Sequence, residues 1–327
     1  MKANDSCSMD SSEKARDGAA HPAARIFAAC ALLFATWLIP SAVVYYLGLA
    51  LHGESIPRGV ALISSLAFFT ILASSLTANF VVAAERHAAE LARQRLKLLF
   101  VNVLVFAALF LVSRAVGYPS PVVFILSTAN LLVFASILGA WLVEPIRRPA
   151  ELIVVCVIVS CADIFSVTSG PTHGMADEVA KYYAGDMKGN VPFADFLLFK
   201  YSIPGEQVPL PLFGVADWVI IAFLAAAALR LNINDSVLGP GIVALSRMRG
   251  LAIYVPVTVL GLGLAMACAG ALNTFLPALP FIAAFFVLHI IIRYPEARRL
   301  TRTDWLQVAV FSSVLGGLTV ARLIGMF

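Results

Sequence analysis

Charged side chains are scarce in this chain of 327 residues. Only 13% of the residues are Asp, Glu, Lys or Arg, whereas 61% are hydrophobic and the mean hydropathy is +0.91. Soluble globular domains usually contain about 25% charged residues, because charges cover the surface that faces water. The composition therefore excludes a soluble enzyme or binding module and indicates a polytopic membrane protein.

Cysteine and histidine are also few, and neither forms a metal-binding pattern. The five cysteines and five histidines show no Cys-x-x-Cys and no Cys/His spacing of the kind that binds zinc. We therefore expect no disulfide, no metal site and no cofactor. The net charge of +4 comes from basic residues that separate the hydrophobic runs, so it predicts no nucleic-acid partner and indicates membrane topology instead.

Nine hydrophobic runs approach or exceed the length of about 20 residues that crosses a bilayer. They are Ile26–Leu51, Gly59–Ala84, Leu98–Val116, Pro121–Val143, Pro149–Ser169, Leu210–Leu231, Leu251–Phe275, Leu276–Ile292 and Trp305–Phe327. We therefore predict an all-α polytopic membrane protein with about nine transmembrane helices.

The segments outside these runs complete the predicted organisation. Residues 1–25 are polar and mixed in charge, which predicts a disordered cytoplasmic tail. The segment Glu85–Lys97 consists of strong helix formers and is expected to extend the second span, with Glu90 paired to neighbouring arginines. The loop Gly170–Val208 contains a short amphipathic helix candidate, and its prolines then favour extended or turn structure.

Most of the Lys and Arg residues lie in the tail and in alternate loops on one side of the predicted spans. The positive-inside rule then places the amino terminus in the cytoplasm and the carboxyl terminus outside. We expect the chain in a bacterial cytoplasmic membrane. The sequence divides into the tail, a part with four helices (residues 26–143), a part with the candidate site (residues 149–292) and a final helix (residues 305–327).

Two aspartates lie inside the predicted spans, and a carboxylate within a bilayer is costly enough to indicate a functional site. Asp163 is about six residues from the end of its run and Asp217 about seven from the start of the next, which places both roughly 10 Å below the same surface on helices. Such a pair could share one proton, so that one carboxylate acts as an acid and the other as a base. Taken alone, the pair favours a proton or ion path over proteolysis.

A third segment changes this balance. In order along the chain, residues 162–167 read ADIFSV, residues 213–217 read FGVAD and residues 277–279 read PAL. Together they resemble the Tyr-Asp, Gly-x-Gly-Asp and Pro-Ala-Leu signatures of the presenilin and signal peptide peptidase family of intramembrane aspartyl proteases. The resemblance covers residues 149–292 and implies a presenilin-like helical bundle.

In that family the two aspartates are the catalytic pair, and the PAL segment helps to position the substrate. The resemblance therefore implies that Asp163 and Asp217 are catalytic. It implies substrate-binding roles for Gly214, Pro277, Ala278 and Leu279. The expected substrates are transmembrane peptides or proteins within the lipid bilayer.

The sequence departs from the family pattern at two positions beside the aspartates. Ala162 replaces the tyrosine and thus lacks its hydroxyl, and Ala216 replaces the second glycine of Gly-x-Gly-Asp. Two alternatives to a protease therefore stay open: a proton- or ion-coupled transporter that uses the same aspartates, and a catalytically inactive membrane scaffold of the same fold.

Overall fold

The computed structural model describes residues 22–50, 57–116, 120–168, 170–185, 187, 189–248, 252–272 and 274–323. Residues 1–21 of the predicted tail therefore lie outside the described residues. Its last residues, from Pro22 onward, already belong to the first helix.

Eleven α-helices lie in the described part of the chain. They are α1 (Pro22–Ala50), α2 (Arg58–Arg86), α3 (Ala88–Val116), α4 (Pro121–Leu142), α5 (Pro149–Thr168), α6 (Pro171–Ala184), α7 (Val215–Arg230), α8 (Ile242–Leu245), α9 (Val257–Leu272), α10 (Leu279–Arg293) and α11 (Arg302–Leu323). Two antiparallel strand pairs accompany them: β1 (Leu198–Tyr201) with β2 (Leu210–Gly214), and β3 (Ser236–Leu238) with β4 (Val255–Pro256). Short 3-10 helices occupy Phe193–Leu197 and Pro295–Arg298.

The helices confirm the expectation of an α-helical membrane protein. By length and composition, α1 to α5 can each cross a membrane, and α9 and α10 are shorter apolar helices. Each of the nine predicted runs overlaps one helix of the structure, whereas the number of nine spans stays a prediction. The amphipathic candidate in the loop after α5 is helix α6.

The boundary between the second and third runs differs from the prediction. Helix α2 ends at Arg86, because His87 leaves the helical conformation (φ −122°, ψ 34°). Helix α3 then starts at Ala88, so the segment Glu85–Lys97 mainly extends the third helix and not the second. The expected pairing of Glu90 is also wrong: its carboxylate accepts a hydrogen bond from Gln94 Nε2 (3.2 Å).

Small residues let neighbouring helices approach closely. A Cβ atom built on Gly139 of α4 would lie 2.6 Å from the Cβ of Ala222 in α7. A Cβ on Gly261 of α9 would lie 2.5 Å from the carbonyl oxygen of Phe281 in α10. Membrane helices commonly pack in this way, because small residues allow extensive van der Waals contact.

The helices form two groups that do not follow the division of the sequence. In the first group, α4 packs against α1, α3 and α7. In the second group, α10 packs against α5 and α9, and α5 also packs against α11. The helix that carries Asp217 therefore packs mainly with the amino-terminal helices, whereas the helix that carries Asp163 packs with the carboxyl-terminal ones.

The sixth hydrophobic run is not one helix, as the sequence predicts, but a strand followed by a helix. Residues Leu210–Gly214 form β2, and α7 begins at Val215. The aromatic side chains of the strand pair are buried in the first helix group. Phe213 stacks on Phe199 of β1 and on Trp218 of α7, with ring centroids 5.1 and 5.7 Å apart. Tertiary contacts therefore stabilise an extended segment where hydropathy predicts a helix.

The loop between α6 and β2 buries an ion pair. Lys200 Nζ lies 3.1 Å from Asp195 Oδ2, and the two side chains are 1% and 0% exposed. The ammonium group also lies 4.5 Å from the centre of the Phe124 ring, and Tyr183 donates a hydrogen bond to Asp195 Oδ1 (3.0 Å). Burial lowers the pKa of Lys200, while the nearby Asp195 carboxylate opposes this effect.

We expect Asp195→Asn to destabilise the protein by about 3–5 kcal/mol, because it leaves the Lys200 charge buried without a counter-ion. Thermal unfolding of the purified protein in detergent would measure the loss. The matched control is Glu206→Gln, which breaks the ion pair with Arg58, whose side chain is 81% exposed; little change is expected there. Equal melting temperatures for the two variants would contradict the prediction.

Candidate functional site

Asp163 lies near the end of α5 and binds the start of α10. Its Oδ2 accepts a hydrogen bond from the backbone N–H of Leu279 (3.0 Å). Leu279 is the first residue of α10, and the N–H groups in the first turn of a helix have no partner within the helix. The Asp163 carboxylate therefore satisfies one of these groups and lies at the positive end of the helix dipole.

Asp217 lies in the first turn of α7, because this helix starts at Val215 and not at the predicted Leu210. Its side chain is buried, and Oδ2 accepts a hydrogen bond from the backbone N–H of Gly214 (2.9 Å). A carboxylate that reaches back to the residue before the helix is common at helix starts. This bond fixes the orientation of Asp217 without indicating catalysis by itself.

A small cavity connects Asp217 with the PAL segment. Its volume is about 100 Å³, and Phe213, Gly214, Asp217, Met266 and Ala278 are among the residues that line it. Asp163 binds the next residue along, Leu279, and so lies beside the same segment. The structure thus brings the two aspartates, Gly214 and the PAL segment together. Pro277 precedes α10 in a stretch without regular secondary structure, is partly buried and is not among the residues that line this cavity.

The aspartates meet in a different way from the one that the sequence suggests. Consecutive antiparallel helices would place the carboxylates on two packed faces. Instead α5 packs mainly on α10 and α11, whereas α7 packs mainly on α4. The PAL segment connects the two sides, because it binds Asp163 and lines the cavity that contains Asp217.

A second cavity lies on the other side of Gly214. Its volume is about 170 Å³, and it is lined mostly by apolar residues of α6, β1 and the start of α7, among them Met175, Val179, Leu198 and Ala216. Gly214 borders both cavities. A Cβ atom at this position would lie 3.5 Å from Asp217 Oδ2, an ordinary contact. The absence of a side chain at Gly214 therefore contributes open space and not an unusual backbone conformation.

Comparison of the chain with protein-family models, with curated proteins and with solved structures finds no match. Residue chemistry and geometry therefore carry the interpretation of the site. Within the ranges that the structure describes, no group of three or more His, Cys, Asp or Glu residues could hold a metal ion.

Sequence reasoning missed another buried carboxyl group. Asp235 follows α7 in a polar loop, which predicts an exposed side chain, yet it is 0% exposed. Its Oδ2 accepts a hydrogen bond from the Tyr254 hydroxyl (2.5 Å), and its backbone oxygen accepts one from Val257 N–H (2.8 Å). Burial raises the pKa of Asp235 to about 7, although the bond from Tyr254 opposes the increase. The only signal in the sequence is that Asp235 lies shortly after the hydrophobic run that ends at Leu231.

The raised pKa of Asp235 predicts a stability that falls as pH increases. Between the unfolded pKa of about 4 and the folded pKa of about 7, the folded protein holds a proton that the unfolded chain has lost. Stability from this group is therefore complete below pH 4, is lost up to about pH 7 and is constant above it. We expect Asp235→Asn to remove this slope in thermal unfolding between pH 4 and 8. The exposed Asp177→Asn should keep it, and an unchanged slope in Asp235→Asn would refute the prediction.

Proposed function

We propose that this chain is an intramembrane aspartyl protease of the presenilin and signal peptide peptidase type, which hydrolyses a peptide bond within a transmembrane segment. One observation carries the proposal, which is that the PAL segment lies beside both aspartates. The Leu279 N–H donates a hydrogen bond to Asp163, and Ala278 lines the cavity that Asp217 also lines. Three short motifs that are far apart in sequence therefore meet at one place, as the resemblance requires.

The proposed chemistry uses the two carboxyl groups with one shared proton. The ionised carboxylate removes a proton from water while the water oxygen attacks the carbonyl carbon of the scissile bond. The protonated partner donates its proton to the carbonyl oxygen. Collapse of the diol intermediate then breaks the C–N bond, and a proton passes to the leaving nitrogen. The cavity of about 100 Å³ beside Asp217 has room for several water molecules, since one water molecule needs a cavity volume of about 10–15 Å³.

The strand that precedes Asp217 supports an extended substrate. A peptide bond inside a helix is protected by the surrounding turns, so a protease needs the segment unwound. In the described residues β2 pairs with a single strand, β1, and an added strand is a common way to bind an extended peptide. The backbone of a substrate segment paired with β2 would run toward Asp217. The apolar cavity that contains Met175 and Val179 would then take a side chain of the substrate.

An inactive scaffold is the second candidate, and a different feature of the same site favours it. Each aspartate binds a backbone N–H at the start of a helix, Asp163 at α10 and Asp217 at α7. Such bonds stabilise helix ends without any reaction. A proton- or ion-coupled transporter would use the same two carboxylates, so variants of these residues distinguish the three functions.

We expect Asp163→Asn and Asp217→Asn each to reduce cleavage of a reporter transmembrane helix by roughly 10²- to 10⁴-fold, because an amide can act neither as the acid nor as the base. Purified protein in proteoliposomes, with product detection by mass spectrometry, measures the rate. Asp235→Asn is the matched control, since it changes a buried carboxyl group outside the site, and it should retain activity.

Cleavage at the full rate by Asp217→Asn, with normal folding, would exclude the protease. If wild-type protein cleaves nothing and both variants fold normally, the scaffold is favoured. If wild-type protein cleaves nothing but takes up a solute in response to a proton gradient, and both variants lose this uptake, the transporter is favoured.

The proposed topology determines which substrates fit. With nine spans and a cytoplasmic amino terminus, as the distribution of Lys and Arg predicts, α5 runs outward and α7 inward. The loop that contains α6 and β1 then lies outside the cytoplasm of the proposed bacterial host. This orientation resembles signal peptide peptidase and is opposite to presenilin. An extended substrate fits between the aspartates and the PAL segment in one polarity only.

We therefore expect a preference for transmembrane substrates with a cytoplasmic amino terminus, such as leftover signal sequences, with cleavage toward the outer leaflet. The experiment places one cleavable helix in both orientations beside the protein and maps a reporter tag in the loop after α5. Cleavage of only the helix with an outside amino terminus, or a tag in the cytoplasm, would overturn this prediction.

A further inference from the structure

A groove runs between α1 and α2. Two cavities of about 330 and 240 Å³ form it, and both include Leu76 and Asn79 of α2. Along α2 the groove extends from Phe68 to Ala83, which is about 22 Å at ~1.5 Å per residue. On α1 it extends from Ala29 to Thr36. Its lining is almost entirely apolar.

The size of the groove indicates what can fill it. A helix with its side chains is about 10 Å wide. The acyl chain of one leaflet is narrower and needs about 15 Å, half the thickness of the hydrocarbon core. The polar residues 1–21, which precede α1, have few apolar side chains that could enter. A lipid acyl chain therefore fits the groove best.

Two arginines lie at one end of the groove. Arg25 precedes Ala29 by one helical turn on α1, and Arg86 follows Ala83 by one turn on α2, so each lies on the same helix face as a groove residue. Both are exposed. Arg86 donates a hydrogen bond to the neutral backbone oxygen of Ser246, which leaves its charge without compensation.

The acidic residue beside Arg86 does not cancel this positive charge. Glu85 forms an ion pair with Arg230 (3.0 Å), so its own charge is already matched. The end of the groove therefore presents two cationic groups at the position where a lipid headgroup would lie. Arginine binds phosphate oxygens well, because its planar group can donate two parallel hydrogen bonds.

We propose that the groove between α1 and α2 binds an anionic phospholipid, with one acyl chain along Leu76 and Asn79 and the phosphate group between Arg25 and Arg86. The ligand belongs to the leaflet that faces the arginine end of the groove. This site is separate from the aspartates, and its existence does not depend on proteolytic activity.

Photocrosslinking in nanodiscs tests the proposal. The protein is placed in phosphatidylcholine with a small fraction of a lipid that carries a diazirine on one acyl chain and has either a phosphatidylglycerol or a phosphatidylcholine headgroup. We expect the phosphatidylglycerol probe to label peptides of α1 and α2 around Ala29 and Ala83. Unlabelled phosphatidylglycerol should compete with it, and unlabelled phosphatidylcholine should not.

Matched variants distinguish recognition of the lipid headgroup from binding of the acyl chain. Arg25→Gln and Arg86→Gln should each reduce labelling about 5-fold, whereas Arg93→Gln, exposed on α3 at the same side, should not. Ala83→Trp should block the groove, whereas Ala107→Trp, exposed on α3, should leave labelling unchanged. Thermal unfolding identifies any variant that fails to fold, and in that case Ala83→Leu replaces Ala83→Trp.

Three results would overturn the proposal. Equal labelling by the two probes would show that the headgroup is not recognised. Labelling spread evenly over α3 would show ordinary boundary lipid only. Absence of labelling in α1 and α2 with either probe would show that no lipid acyl chain occupies the groove. Since no readout uses cleavage, failure of the protease proposal would leave this test unaffected.

Discussion

The mutual contact of the Phe199, Phe213 and Trp218 rings, with centroids 5.1 to 5.7 Å apart, is the interaction on which the candidate site depends. It holds β2 against the helix bundle and fixes the point at which the strand changes into α7. Backbone that is not helical is tolerated at membrane depth only where protein buries it. The aromatic cluster supplies this burial, since Phe199, Phe213 and Trp218 are almost completely inaccessible. Asp217 follows directly, in the first turn of the helix.

The second constraint is that backbone N–H groups at the start of a helix need hydrogen-bond acceptors. The first turn of α10 presents free N–H groups, and Asp163 satisfies the first of them. In the same way Asp217 satisfies the N–H that precedes the first turn of α7. Both carboxylates are thus held by backbone groups of fixed position and not by flexible cations. In a catalytic pair this would leave the outer oxygens available to water, and in a scaffold it would only stabilise the two helix ends.

Ionisable side chains outside the centre of the bundle are also buried by contacts between segments that are distant in sequence. Asp195 and Lys200 lie in a loop that the sequence places outside the predicted spans, but the loop folds over the start of α4 and buries both. Asp235 is buried beside Tyr254, the residue before β4, whose hydroxyl donates a hydrogen bond to its carboxyl group. Burial of these residues depends on which segments cover them, so a local pattern cannot predict it.

The sequence alone determined the membrane class and the approximate place of each long apolar helix, because hydropathy over about 20 residues depends on local composition. It also selected Asp163, Asp217 and the PAL segment as candidate site residues. Only the tertiary structure decided that Leu210–Gly214 is a strand and that α5 and α7 belong to different helix groups. It also decided that Leu279, 116 residues from Asp163, binds it. Such contacts are set by packing between segments distant in sequence, which neither periodicity nor composition encodes.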